Sequence, residues 1–185
     1  MARQPLRAVD LDRDMTHVIP TGTTRDSEFL FRRMEALTFA ATGSTQGTRV
    51  LDSAAGLGQD SRALARSGAR SVCAEPSRRM IELAKLVAAK EPAPAPGSVQ
   101  WARAWSESLP FRSGSFDVVL ANLMAPLLVE RSAEIRRLIA PGGALVLSGL
   151  LIPDLPAVRS AYSACGTAGE LVDGEWVALV YEDVG

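Results

Sequence analysis

Four residues have the types and spacing of a binding site: Asp52, Gly56, Gly58 and Glu75. The first three lie in "RVLDSAAGLGQD", residues 49–60, where a short strand around Val50 and Leu51 runs into a glycine loop. The fourth closes "RSVCAE", a second strand. A glycine between strand and helix admits positive φ and lets a ligand approach the backbone closely. Alone, such a pair also fits a plain strand-to-helix turn. Glu75 adds chemistry, because it follows Gly56 by 19 positions. An acid at that distance can accept both hydroxyls of a ribose.

Two ligand classes suit a ribose at that place. A dinucleotide would lay its pyrophosphate over the glycines, at the helix N-terminus. Asp52 would then face an anion, and like charges disfavour each other. The third glycine of a dinucleotide fingerprint is Ser61 here, a second mismatch. S-adenosylmethionine carries no phosphate; it has a sulfonium and an ammonium. A carboxylate at the end of the first strand suits that cation, directly or through water. The acid ahead of the glycines therefore favours a positively charged ligand.

The elements that must position these residues alternate along the chain. "DSRALARSGA" reads as a helix ended by Gly68, and Ser77 caps the helix "RRMIELAKLVAAK". "EPAPAPG" is a Pro-rich connector. "SVQWA" is a third strand and "FDVVLAN" a fourth, nearly continuous in apolar residues, as a strand covered on both faces should be. "PLLVERSAEIRRLIA" reads as one helix, and Pro141-Gly142-Gly143 turns the chain into a fifth strand, "ALVLSGLL". "DLPAVRSAYSAC" is the last helix, and Asp173-Gly174 marks a hairpin within "GELVDGEWVALVYED". The expected fold is α/β: a doubly wound, mostly parallel sheet with a C-terminal antiparallel hairpin. Its ligand belongs outside the carboxyl ends of the strands.

Taken together and in order, these segments resemble class I S-adenosylmethionine-dependent methyltransferases. "VLDSAAGLG" is similar to their first motif and "CAEPSRRMIELAK" to their second. "SESLPFRSGSFDVVLANL" and "LIAPGGALVLSG" are similar to the later ones, so the resemblance covers about residues 48 to 150. It implies a Rossmann-like fold, S-adenosylmethionine as cofactor, and roles by position. Asp52, Gly56 and Gly58 would line the methionine end. Glu75 would hold the ribose, and Met80 would pack near adenine. Asn122 would lie near the sulfonium and the acceptor.

The chain departs from that pattern twice. Ala54 stands where the family often has glycine, which tightens the loop. In "WSESLP", Trp105 replaces the acid that would bind the adenine amino group. Ser106 still offers its backbone N–H. Either Glu107 substitutes for the acid, or Trp105 packs on the ring, or Trp105 only packs the loop. "FDVVLANLMAPLL", "IAPGGALVLSGLL" and "DGEWVALV" further resemble the catalytic domain of ribosomal-protein methyltransferases. Those enzymes grip their protein substrate with a separate N-terminal domain; the expectation is that this sequence lacks it, so that substrate is not carried over.

Total composition narrows the classes. The 185 residues suit one domain, with residues 1–20 a weakly structured segment or lid and residues 21–185 a single methyltransferase-like domain. A helix is expected in "TTRDSEFLFRRMEALTFAA", with Thr23 or Thr24 as its cap. A net charge of −1 gives no pull toward nucleic acid or anionic membrane. No apolar run reaches a membrane span and no signal peptide opens the chain; the expectation is a cytoplasmic protein. Cys73 and Cys165 read as buried thiols, and with a single distant histidine they make no metal cluster. Arg78, Arg79, Arg136 and Arg137 read as solvated helix faces, and Asp117 as structural.

No general base announces itself. His17 is either an exposed loop residue or part of a lid, and "IPTGTTRDSEF" is a second lid candidate through Thr21, Thr23 and Arg25. The leading expectation is an enzyme that methylates a small-molecule or protein acceptor. Its rival is a noncatalytic methyltransferase-like module that supports a partner. A homodimer or a partner subunit would close a pocket that has no substrate domain.

Overall fold

The computed structural model describes residues 46–91 and 96–185. The expected segment 1–20, the helix from Thr23 to Ala41, His17 and both lid candidates lie outside the described residues, as does most of the Pro-rich connector.

Seven strands form one sheet in the order β3-β2-β1-β4-β5-β7-β6. The strands are β1 (Arg49–Ser53), β2 (Arg70–Ala74), β3 (Ser98–Ala102), β4 (Phe116–Asn122), β5 (Ile139–Leu151), β6 (Gly169–Asp173) and β7 (Trp176–Val184). β1 pairs in parallel with both β2 and β4; β2 pairs so with β3, and β4 with β5. β7 runs antiparallel to both β5 and β6. The sheet is thus mostly parallel with an antiparallel C-terminal hairpin, as expected. Strand order reverses at β1 and β4, which is where an open α/β sheet leaves a crevice for ligand.

Helices α1 (Gln59–Arg66), α2 (Arg78–Ala88), α3 (Ala125–Glu130), α4 (Ser132–Arg137) and α5 (Leu155–Ala161) make the connections. One sheet face buries Leu51, Val119, Leu145, Leu147 and Leu179 against Leu128, Ile135, Leu138, Val158 and Tyr162. The other joins Val50, Val118, Leu120, Val146 and Val180 to Leu64 and Ala69. Residues alternate between the two cores along β1 and β4, so these strands are covered on both sides. At the bottom of the sheet Asp117 takes hydrogen bonds from the Arg49 backbone N–H and guanidinium, which fits its structural reading.

Four local expectations change. The helix expected over "PLLVERSAEIRRLIA" is two helices, because Arg131 leaves helical geometry (φ −99°, ψ 9°). That break lets Arg131 pair with Glu130 at 2.9 Å and face Glu107 at 3.9 Å. β5 begins at Ile139 rather than Ala144, since Ile139 already pairs with Phe116 before the register shifts. The hairpin loop is Gly174 and Glu175, with Asp173 paired to Trp176; Gly174 supplies the positive φ (61°) at the first loop position.

The fourth change concerns Arg137. It is no solvated face: its guanidinium donates to the carbonyls of Phe111 (2.6 Å) and Leu109 (2.9 Å) and to Glu134. Glu134 in turn accepts the Leu109 N–H at 3.1 Å. The pair clamps the loop between β3 and β4. Arg78 does stand exposed, paired with Glu82 one turn on.

Candidate functional site

The loop from Ser53 to Gln59 is bent by left-handed backbone at three alternate residues, Ala54 (φ 59°), Gly56 (φ 54°) and Gly58 (φ 64°). Glycine takes that geometry without strain; alanine does not, at about 1–2 kcal/mol. Ala54 therefore occupies the position the family pattern gives to glycine, and it adopts the glycine conformation. Gly58 serves as the N-cap of α1. A methyl group on it would stand 2.8 Å from Trp101 and 3.0 Å from the Cys73 sulfur. Trp101 on β3 is thus the floor beneath the loop. Arg62 pins the loop from the other side, donating to the Leu57 carbonyl and, at 3.0 Å, to Glu91 just beyond α2.

One acid reaches this loop and the other stands at its start. Asp52, near the end of β1, is only 6% exposed and accepts the Ser61 hydroxyl at 2.9 Å. Burial, and after it the negative charge of Asp60, pushes its carboxyl from 3.8 up to about 7. Glu75 follows β2 and is also buried. One of its oxygens accepts the Gly56 N–H at 3.0 Å, the other the Ser77 N–H at 2.9 Å. Burial raises its pKa as well, and these two N–H groups oppose the rise. A carboxylate offers about four lone-pair directions, so each oxygen of Glu75 keeps a free one.

The remaining candidates surround these two. Met80, on the first turn of α2, brings its terminal methyl within 4.0 Å of the place where a side chain on Gly56 would begin. Ser77 caps the same helix by accepting the Met80 N–H at 3.1 Å. Trp105, Ser106 and Glu107 form a tight turn in which the Ser108 N–H donates to the Trp105 carbonyl at 3.0 Å. Glu107 faces Arg131. Asn122 ends β4, exposed, opposite Ser148 of β5. Gly149 (φ 78°) makes room for it: a methyl there would lie 2.6 Å from Asn122 Oδ1. Met124, Leu151, Ile152 and Trp176 rim this edge as exposed apolar side chains.

Cys73 is fully buried and its thiol pKa is raised, first by burial and then by Asp52, so it is no nucleophile at neutral pH. Among the described residues no cluster of three or more His, Cys, Asp or Glu is arranged to hold a metal. Among them, too, no helix is long and apolar enough to cross a membrane.

Ser61, Trp101 and Arg62 were not legible as parts of the site. Ser61 registers in sequence only as a missing glycine. It lies nine positions from Asp52, so one helical turn beyond the loop brings it back to the strand.

The guanidinium against this loop, Arg62, is already turned to Leu57 and Glu91. Two buried carboxylates flank the loop, and the Arg103 guanidinium nearby donates instead to the Pro76 carbonyl at 3.1 Å. Such a site attracts a cation with hydroxyl groups and repels a diphosphate.

Comparison with known proteins agrees. A family model described as "Methyltransferase domain" matches residues 51–147. A demethylmenaquinone methyltransferase of Clavibacter sepedonicus is 35% identical over 128 residues, which are 68% of this chain and 50% of that protein. A ribosomal protein L11 methyltransferase of Geobacter sp. (strain M21) is 32% identical over 167 residues, 87% of this chain and 51% of that protein. The chain spans about half the length of these two relatives. The crystal structure of a SAM dependent methyltransferase from Aquifex aeolicus superimposes with a TM-score of 0.64 at 15% identity, over 81% of this chain and 89% of that one.

Proposed function

The chain belongs to the methyltransferase-domain family, and from that premise we propose that it transfers the methyl group of S-adenosylmethionine to a small-molecule or protein acceptor. The observation that supports this reading most is Glu75 accepting the Gly56 N–H of a left-handed glycine loop that begins directly after buried Asp52. S-adenosylmethionine supplies, when bound, an electrophilic methyl on a sulfonium. The residues present fit it: Asp52 offers a carboxylate to the ammonium, and Glu75 offers its free lone pairs to the ribose hydroxyls.

Gly56 and Gly58 bring backbone close to the methionine end. Met80 covers the nucleoside, and Ser106 offers its N–H to the adenine edge beside Trp105. Asn122 marks the acceptor side, within an apolar rim of Met124, Ile152 and Trp176. Methyl transfer disperses charge, so this chain's task is alignment and exclusion of water. Holding the reacting atoms in line is worth roughly 7–11 kcal/mol.

A second reading is a noncatalytic module that supports a partner. One observation favours it: both oxygens of Glu75 already accept backbone N–H groups of the chain itself. Calorimetric titration with S-adenosylmethionine and S-adenosylhomocysteine separates the two. Saturable binding of both, followed by labelled-methyl transfer in an acceptor screen, is the expected outcome. No binding at millimolar ligand refutes the enzyme.

A further inference from the structure

Behind the glycine loop the Asp52 carboxylate meets side chains from two elements. From α1 comes the Ser61 hydroxyl, fully buried, at 2.9 Å from Oδ2. Asp60, also on α1, and Glu75, at the end of β2, repel the charge on Asp52. Cys73, on β2, lies beside the same Ser61 hydroxyl as a neutral thiol. Arg62 is turned to Leu57 and Glu91. Among the described residues, the influences that favour ionised Asp52 all come from Ser61, through its hydroxyl and its backbone N–H. Burial and the two acids act against them. Asp52 therefore stands close to the balance between charged and neutral, and the Ser61 hydroxyl is the larger of the two groups that favour the charge.

We propose that Ser61 is a positioning residue for the methyl donor: its hydroxyl, bound to Oδ2, holds the Asp52 carboxylate behind the glycine loop as the partner of the ligand's ammonium. Ser61 itself touches no ligand. The inference rests on the cofactor reading above, and it makes cofactor affinity depend on pH through a serine.

The test is titration calorimetry with S-adenosylhomocysteine between pH 6 and pH 9, on the full chain and on its Ser61→Ala and Ser61→Cys variants. Alanine removes the hydroxyl without adding atoms, and the somewhat larger thiol of cysteine is a weak donor. Loss of one donor to a carboxylate moves its midpoint up by about one pH unit. Affinity of the alanine variant is then about fivefold weaker at pH 7 and nearly equal at pH 9. The ratio of wild-type to variant affinity cancels the titration of the ligand's own amino group. The cysteine variant follows the same trend, so either folded variant decides the matter. Wild-type binding with a ratio that stays flat across pH overturns the role of Ser61 alone. No wild-type binding at any pH overturns the cofactor reading together with it.

Discussion

Asp52→Asn separates what the fold needs from what the ligand needs. The carboxyl of Asp52 is buried and its pKa stands at about 7 instead of 3.8. An acid whose folded value lies above its unfolded value supports the fold while protonated. That support is complete below pH 3.8 and is lost as the pH rises through 7. The gap of about three pH units is worth about 4 kcal/mol, a large share of the 5–15 kcal/mol by which a domain of this size is held together. Asparagine keeps the shape and accepts the Ser61 hydroxyl, but it never ionises. Urea denaturation of the ligand-free protein at several values from pH 4 to pH 8 reads the difference. The variant gains on the wild type as pH rises, by up to about 4 kcal/mol at pH 8, while titration with S-adenosylhomocysteine shows its binding lost. A stability difference that does not change with pH would mean that Asp52 ionises at no cost in the fold. The burial cost assigned to the charged form of Asp52, and the pH dependence of affinity drawn from it, would then fail.

Three further outcomes follow from the same loop. Ala54→Gly removes the left-handed alanine and should raise stability by about 0.5–1 kcal/mol, after the entropy of the added glycine is counted; a thermal melt that shows a loss would contradict the strain. Gly58→Ala pushes a methyl against Trp101 and should cost about 1–3 kcal/mol, with a change in tryptophan emission; a silent substitution would show that Trp101 yields freely. Glu75→Ala should weaken cofactor binding by about 1.5–3 kcal/mol through loss of charge-assisted hydrogen bonds. Unchanged affinity in calorimetry would remove Glu75 from the ribose.

Strands β3 and β4 run over the residues expected from sequence, and Ser77 caps α2 as expected. These are local signals: an apolar run bounded by turn residues, and a hydroxyl one residue before a helix. Asp52 and Glu75 were legible because strand ends and glycine spacing fix where an acid must stand. What stayed hidden depends on distant partners. Arg137 reads as a surface charge until the loop 26 positions before it, at Phe111, comes within reach. Trp101 reads as a strand residue until β3 lies beside β2 and places it under Gly58. The break at Arg131 follows a helical pattern that runs straight through it. Long-range contact, not local propensity, decides the first two.

Strand β7 lies between β5 and β6, yet it follows both of them in the chain. Until those last residues emerge during synthesis, β5 ends the growing sheet with its ladder of N–H and C=O groups unpaired, carried on the apolar segment "ALVLSGLL". An open apolar strand is a template for other chains. Nascent protein stalled or truncated before Trp176 should therefore clump, and the closing strand acts as the molecule's own safeguard against association.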